Sequence, residues 1–147
     1  MNRPVLSIKR LNALATIPAY QSAEAAGMDL HAAIEEEITL EPGAITLIPL
    51  GFAMALPPGH EGQVRPRSGL ASKHGITLPN APGTIDSDYR GEVKVPLVNL
   101  GDSAFTIEQG MRIAQMIIAP VVQARLEEVD ELDDSERGDG GFGSTGQ

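Results

Sequence analysis

Two aspartates close to a tyrosine make residues 81–91 the first candidate for a catalytic segment. Asp86 and Asp88 are separated by one residue, so in an extended backbone both side chains would point to the same side. A carboxylate in that position could activate water as a general base or bind a metal ion. The alternative is that both aspartates only form turns, because glycine-containing turn sequences bound the segment like those of a hairpin. Asp86, directly after Ile85, is the better candidate for a constrained carboxylate.

A second candidate is an anion-binding loop at Arg67-Ser68-Gly69. The pattern predicts a short helix over residues 68–75, with Ser68 near its N-cap and Gly75 as the residue that ends it. The free backbone N–H groups of a helix start, beside a hydroxyl and a guanidinium, suit a phosphate. Ser68 is also a conceivable nucleophile. No histidine follows at a fitting spacing, which favours the N-cap role.

The third candidate is the glycine-rich segment from Arg137 to Gly146. Its flexible backbone N–H groups, Arg137 and two hydroxyls could wrap a phosphate chain, while Phe142 stacks on a ring. A solvated flexible end is the alternative, but Phe142 is a large apolar side chain with no apolar neighbours in the sequence. The segment lacks the Gly-Lys-Ser/Thr ending of a Walker A loop.

Other common catalytic chemistries lack their residues. The chain contains no cysteine, which excludes a disulfide framework, a thiol nucleophile and a cysteine-ligated zinc. His31, His60 and His74 show no metal-ligand spacing and are interpreted as incidental surface or strand residues.

The elements that would position these residues are short strands separated by turns, so we expect an all-β fold, a sandwich or a jelly roll, with one short helix. Sixteen glycines and 11 prolines argue against a helical bundle. The predicted strands are Val5 to Ile8, Ile38 to Leu40, Ala44 to Leu50, Phe52 to Leu56, Gln63 to Arg65, Glu92 to Val95, Phe105 to Ile107 and Ile113 to Ile118.

Charge and composition divide the 147-residue chain into one domain over residues 1–129 and a flexible acidic, then glycine-rich tail over residues 130–147. Residues 127–147 hold eight acids against one arginine, a net charge of −7 out of −9 for the whole chain. Such acidity disfavours binding to duplex nucleic acid. No apolar run reaches the ~18 residues of a membrane span, and no secretory signal is evident. We expect a cytoplasmic protein.

Together these segments resemble the trimeric dUTP diphosphatase (dUTPase) family over residues 3 to 147. Five segments match the family's motifs in order and spacing, with Met28 where the family commonly has tyrosine. They are Ala26 to Ala32, Pro66 to Ala71, Asn80 to Asp86 with Tyr89 to Glu92, Gly110 to Gln115, and Arg137 to Gly146.

The resemblance implies a distorted jelly-roll subunit that forms a homotrimer with three shared active sites. The first, second and fourth motifs would come from one subunit, the third motif from another, and the glycine-rich tail from the third. The implied reaction is hydrolysis of dUTP to dUMP and pyrophosphate, which supplies dUMP for thymidylate synthesis and keeps uracil out of DNA.

By the same resemblance, Asp86 activates the water that attacks the α-phosphorus. Mg²⁺ would bridge the phosphates with no direct protein ligand, and Asp29 would support its waters or brace Arg67. The implied substrate contacts are Arg67, Ser68, Gly69, Asn80, Gly83, Thr84, Ile85, Asp86, Tyr89, Lys94, Gln115, Arg137, Phe142, Gly143, Ser144 and Thr145.

Within that set, Asn80 and the backbone near Thr84 would recognise uracil, Tyr89 would pack under the deoxyribose, and Phe142 would stack on the base. A surface position is an equal alternative for Lys94.

Two rival functions remain. A dCTP deaminase on the same fold would release ammonia from dCTP. A non-catalytic nucleotide-binding trimer would have no chemical need for Asp86.

Overall fold

The computed structural model describes residues 2–143 and residue 146. The fold is all-β with one short helix, α1, as the turn-rich sequence predicts. The elements are β1 (Ser7–Arg10), β2 (Met28–His31), β3 (Ile38–Leu40), β4 (Ile45–Ala55), β5 (His60–Arg65), α1 (Ser68–His74), β6 (Ile76–Thr77), β7 (Gly83–Ile85), β8 (Glu92–Asn99), β9 (Phe105–Ile107) and β10 (Arg112–Pro120).

The strands pair antiparallel in three sheets. Two sheets have four strands, in the orders β1-β4-β8-β6 and β2-β10-β5-β7, and the third pairs β3 with β9. Both large sheets contribute to one hydrophobic core, which includes Phe52 and Val95 from the first sheet and Leu30 and Met116 from the second. Because neighbouring strands come from distant parts of the sequence, the sheets bring the separated motifs together.

The sheet β2-β10-β5-β7 has one apolar and one polar face. Met116 lies opposite both Met28 and Val64, and all three side chains are buried in the core. The next residue along β10 towards its start, Gln115, lies opposite Asp29. Since side chains alternate across a strand, these polar residues share the opposite face.

A β-bulge interrupts the pairing of β10 with β2. Gln115 and Ala114 pair regularly with Asp29 and Leu30, but the next pair joins Arg112 to His31. Ile113 is therefore the extra residue, and its side chain is buried. The bulge leaves Arg112 on the same face as Asp29.

The structure corrects the prediction of two strands on either side of Gly51. Residues 45–55 form the single strand β4, with an irregularity in its pairing to β8 between Pro49 and Ala53. Gly51 lies within that irregularity at a φ of 73°. A left-handed residue of this kind bends a strand without ending it.

Helix α1 ends at the predicted place. Its first residue is Ser68, which is one residue earlier than if Ser68 were the N-cap. Arg67 is the N-cap residue and makes no side-chain capping hydrogen bond, so the N-cap role expected of Ser68 is wrong. Gly75 ends the helix in the left-handed conformation, and its N–H donates to the carbonyl of Ala71.

Beyond Pro120, the residues that the structure describes contain no helix or strand. Several apolar side chains of this segment, including Val122, Leu126 and Leu132, are almost fully exposed. The division into a domain over residues 1–129 and a tail over residues 130–147 stays a prediction. None of the described helices is both long enough and apolar enough for a membrane crossing.

Candidate active site

Asp29 pairs with two arginines at one edge of the polar sheet face. Its Oδ1 lies 3.3 Å from Nε of Arg67, and its Oδ2 lies 3.8 Å from Nη1 of Arg112. The aspartate side chain is only 16% exposed, whereas Arg112 is 50% exposed. The half-buried carboxylate thus fixes two guanidinium groups, and the remaining N–H donors of these groups stay available to an anion that approaches from solvent.

Two further hydrogen bonds fix the loop before α1. Nη1 of Arg67 donates to the backbone carbonyl of Arg112 at 3.3 Å, and Nε2 of Gln115 donates to the carbonyl of Pro66 at 2.9 Å. The loop leads directly into Ser68 and Gly69, the first residues of α1. The structure therefore brings together the predicted phosphate contacts of the second and fourth motifs, next to Asp29. We call Asp29, Arg67, Arg112 and Gln115 the phosphate cluster.

Two residues of this region were not among the predicted site residues. Arg112 belongs to the fourth motif, and its position three residues before Gln115 is the sequence feature that could have identified it. His31 lies opposite Arg112 on β2, and its Nδ1 is buried without a hydrogen-bond partner among the described residues. Burial and the positive charges of Arg112 and Arg67 lower the pKa of His31, against an opposing effect of Asp29. His31 lies in strand β2, as its interpretation as a surface or strand residue allows, and the structure adds that it neighbours both arginines.

Asp86 lies at the opposite end of β5, in a turn that follows β7. The N–H of Tyr89 donates to the carbonyl of Asp86 at 3.2 Å, so residues 86–89 form a turn and not the extended backbone in which both aspartates would align. The predicted hairpin is also wrong, because β7 pairs with β5 whereas β8 pairs with β4 and β6. The carboxylate of Asp86 is nevertheless exposed and available for chemistry.

A hollow of about 310 Å³ opens beside Asp86. We call it the Tyr89 hollow. It combines an aromatic ring, apolar walls and two carboxylates, a combination that suits a small ligand with a planar or sugar ring. Its lining residues are Leu47, Thr84, Ile85, Asp86, Tyr89, Glu92, Val93 and Lys94.

Two hydrogen bonds hold the wall of the Tyr89 hollow. The hydroxyl of Tyr89 donates to the carbonyl of Glu92 at 2.8 Å, and the Glu92 carboxylate accepts from the N–H of Gly51 at 3.0 Å. Gly83, the first residue of β7, is buried, and the side-chain nitrogen of Asn80 would lie 3.2 Å from a Cβ at that position. Asn80 therefore lies beside the predicted uracil-binding strand.

Two larger hollows differ in character from the Tyr89 hollow. One, of about 620 Å³, lies on the other side of Asp86 and is polar, with His60, Glu61 and Asp88 in its wall. The other, of about 750 Å³, is mainly apolar, lies near Tyr20 and Met28, and contains no carboxylate and no predicted substrate contact. Size alone therefore does not identify the site, and of the two hollows that border Asp86 only the Tyr89 hollow adds an aromatic ring and apolar walls.

The phosphate cluster and Asp86 are far apart within one chain. Ile85, the residue before Asp86, lies opposite Gly62 of β5. Arg67 follows Gly62 by five residues along the chain. At the rise of an extended strand this separation is roughly 16 Å. A general base must lie within hydrogen-bond distance of the water that it activates, and a separation of this size is far larger than that distance.

The described tail residues form local turns. Nε of Arg137 donates to the carbonyl of Gly140 at 2.6 Å, and Phe142 is fully exposed at a φ of 51°. Gly143 also has a positive φ, of 87°. The predicted contacts Ser144 and Thr145 lie outside the described residues. The tail of the same chain therefore does not bring Phe142 into contact with another aromatic ring or the core.

Comparisons with known proteins match the chain to one family. The family model for dUTPase matches residues 13–146. The deoxyuridine 5′-triphosphate nucleotidohydrolase of Sinorhizobium medicae is 64% identical over 132 residues, which cover 88% of this chain and 82% of that protein. The protein of the same name from Syntrophotalea carbinolica is 54% identical over 146 residues, 99% of each chain.

A solved structure is also closely similar. The dUTPase of Staphylococcus bacteriophage 80alpha with dUpNHpp has a TM-score of 0.89 at 30% identity, and the match covers 97% of this chain and 99% of that one. Sequence and architecture thus agree over nearly the full length. The chain belongs to the dUTPase family.

Proposed function

We propose that this chain hydrolyses dUTP to dUMP and pyrophosphate. The observation that supports this most directly is the exposed carboxylate of Asp86 at the edge of the Tyr89 hollow. A nucleoside in the hollow would extend its phosphates past that carboxylate. Membership of the dUTPase family identifies the nucleoside as deoxyuridine.

In the proposed reaction, Asp86 accepts a proton from a water molecule as that water attacks the α-phosphorus. The water oxygen forms a bond to phosphorus, and the bond between the α-phosphorus and the oxygen that bridges it to the β-phosphorus breaks. The products are dUMP and pyrophosphate. No covalent enzyme intermediate is required, so most of the rate enhancement comes from positioning and from charge neutralisation.

The phosphate cluster supplies that neutralisation. Arg67, with Ser68 and Gly69, donates to phosphate oxygens, and the second N–H of the Gln115 amide remains available after its bond to Pro66. Asp29 braces the two arginines. Its two ion pairs support this role over the alternative role, in which Asp29 contacts the waters of a metal ion. A braced guanidinium loses less conformational entropy when it binds a phosphate.

The Tyr89 hollow selects base and sugar. Asn80, Gly83 and the backbone at Thr84 and Ile85 recognise uracil, and their close approach excludes the methyl group of thymine and the amino group of cytosine. The Tyr89 ring lies under the deoxyribose, where a 2′-hydroxyl would clash. Lys94 forms part of the wall.

Mg²⁺ is the proposed cofactor, bound through the substrate. Among the described residues, no three histidine, aspartate or glutamate side chains cluster as a metal site would require. The proposal assigns the ion to the triphosphate and to water, in keeping with the preference of Mg²⁺ for retained waters. When bound, Mg²⁺ neutralises phosphate charge and orients the triphosphate.

The active form is proposed to be a homotrimer. The ~16 Å between Asp86 and Arg67 within a chain is the supporting argument, because an Asp86 from one subunit can meet an Arg67 from another. The tail of the third subunit then closes the site. Its Phe142 stacks on uracil, and Arg137, Gly143, Ser144 and Thr145 contact the phosphates.

We also propose a cytoplasmic location and a role in nucleotide metabolism. In the cytoplasm, the enzyme would remove dUTP before a polymerase incorporates it into DNA. The dUMP that it releases is the precursor for thymidylate synthesis.

The experiment that tests the proposal measures pyrophosphate release with Mg²⁺ from dUTP, dTTP, dCTP and UTP in parallel, together with ammonia release from dCTP. We expect pyrophosphate from dUTP alone. Ammonia from dCTP would identify a deaminase, and binding of dUTP without turnover would identify a regulatory trimer. Comparable rates with dUTP and UTP would contradict the assigned role of Tyr89.

A further inference from the structure

Gly27 lies directly before β2 and has no conformational reason to be glycine. Its φ is outside the left-handed region, in contrast to those of Gly51 and Gly75. Any residue can adopt such a backbone. The requirement for glycine at this position must therefore come from the space around it.

That space is filled by one side chain. A Cβ at Gly27 would lie 2.7 Å from Oε1 of Gln115, 3.4 Å from its Cβ and 3.5 Å from its Cδ, and these are the three nearest atoms. Gly27 is two residues before Asp29, so both lie on the polar face of the sheet, and Gln115 lies opposite Asp29. The amide of Gln115 thus occupies the place that a side chain at residue 27 would take.

The same amide holds the loop that leads into the phosphate-binding residues. Nε2 of Gln115 donates to the carbonyl of Pro66, and the next residue, Arg67, is paired with Asp29. Two consecutive loop residues are therefore attached to two neighbouring positions on the sheet face. Loss of either attachment would leave the start of α1 free to shift relative to the sheet.

We infer that Gly27 is a positioning residue of the phosphate cluster and acts through Gln115. This inference rests on the proposed function. An added methyl group would displace the Gln115 amide, because the strand backbone beside it is fixed by pairing with β10. The hydrogen bond to Pro66 would break, and Arg67, Ser68 and Gly69 would move from their positions.

A double-mutant cycle tests the inference with Gly27→Ala, Gln115→Ala and the double variant. For each protein, kcat and KM for dUTP, the dissociation constant for inorganic pyrophosphate and the unfolding midpoint are measured. We expect Gly27→Ala to lower kcat/KM on the order of 10- to 100-fold, since a displacement of about 1 Å has such an effect on an oriented reaction. In the Gln115→Ala background the same change should have no further effect. Ala23→Ser, which adds one atom at an exposed position in the preceding loop, is the control and should match the wild type.

The cycle has clear contrary outcomes. If the effects of the two single changes on kcat/KM and on pyrophosphate binding multiply in the double variant, Gly27 does not act through Gln115 and the inference is overturned. If Gly27→Ala fails to fold, Gln115→Ala must restore folding, and continued misfolding of the double variant also overturns it. A wild-type protein that does not hydrolyse dUTP would contradict the proposed function, whereas the pyrophosphate cycle would still decide the role of Gly27.

Discussion

Tyr89 folds back over Gly91 to donate a hydrogen bond to the carbonyl of Glu92, 2.8 Å from its hydroxyl. A Cβ at Gly91 would lie 2.5 Å from that hydroxyl oxygen and 2.7 Å from the Cζ of the ring. The absence of a side chain at residue 91 therefore permits the ring orientation that forms one wall of the Tyr89 hollow. The tyrosine and the glycine two residues later act as one unit.

This relationship predicts the effect of Gly91→Ala. The added methyl group should push the tyrosine ring out of place and raise KM for dUTP by roughly tenfold, the equivalent of about 1.4 kcal/mol. Discrimination against UTP should also weaken. Steady-state kinetics with both nucleotides check this. Tyr89→Phe, which keeps the ring and removes only the hydroxyl, is the comparison, and unchanged kinetics in Gly91→Ala would contradict the assigned role of the ring.

Asp86→Asn should separate binding from chemistry. The amide is the same size as the carboxylate but does not accept the proton of the attacking water, so turnover should fall by orders of magnitude. The dissociation constant for dUTP should stay within roughly tenfold of the wild-type value. Asp88→Asn is the matched control and should retain turnover. Near-normal turnover in Asp86→Asn would refute the assignment of the general base.

Coexpression of two inactive variants tests the proposed homotrimer and its shared active site. Arg67→Ala and Asp86→Asn subunits should each be inactive alone. When the two are coexpressed in equal amounts, a site that takes Asp86 from one subunit and Arg67 from another has both residues in about one quarter of cases. Activity of about a quarter of the wild-type value is the expected result. Absence of recovery in a mixture shown to contain both subunits would mean that each site is built within one chain.

Truncation after Asp134 tests the tail. The described residues beyond this point are exposed or half-buried and make no contact with the core cluster, so the shortened protein should remain folded. Turnover of dUTP should be much weaker because Arg137 and Phe142 are lost. Size-exclusion chromatography, the unfolding midpoint and dUTP kinetics together provide the check. Dissociation or unfolding of the truncated protein would show that the tail has a structural role.

The sequence predicted the all-β class because its turn signals and short apolar runs are local features. It did not predict which strands pair, because pairing depends on contacts between distant residues. The segment around Asp86 illustrates this limit, since its bounding glycines resemble hairpin turns while β7 pairs with β5. Gly51 illustrates it again, because a left-handed residue can either end a strand or bend it.

The phosphate cluster shows which parts of a site motifs predict. Arg67 and Gln115 were named from the sequence because they stand in recognisable segments, and the structure places both next to Asp29. Arg112 and His31 were not named, because their nearness to Asp29 depends on strand pairing, which places them opposite each other. The steric roles of Gly27 and Gly91 are also invisible in sequence, because they depend on where the side chains of Gln115 and Tyr89 lie.

The bulge at Ile113 explains how two residues at an odd spacing in the fourth motif share one face of the sheet. Arg112 and Gln115 are an odd number of residues apart, yet both side chains serve the same face of the sheet. In a regular strand, odd separations place two side chains on opposite faces. At this spacing, the two side chains share a face only because the strand contains the bulge. Grafted onto a straight strand, the same six residues would bury the arginine in the core or lose the glutamine from the site.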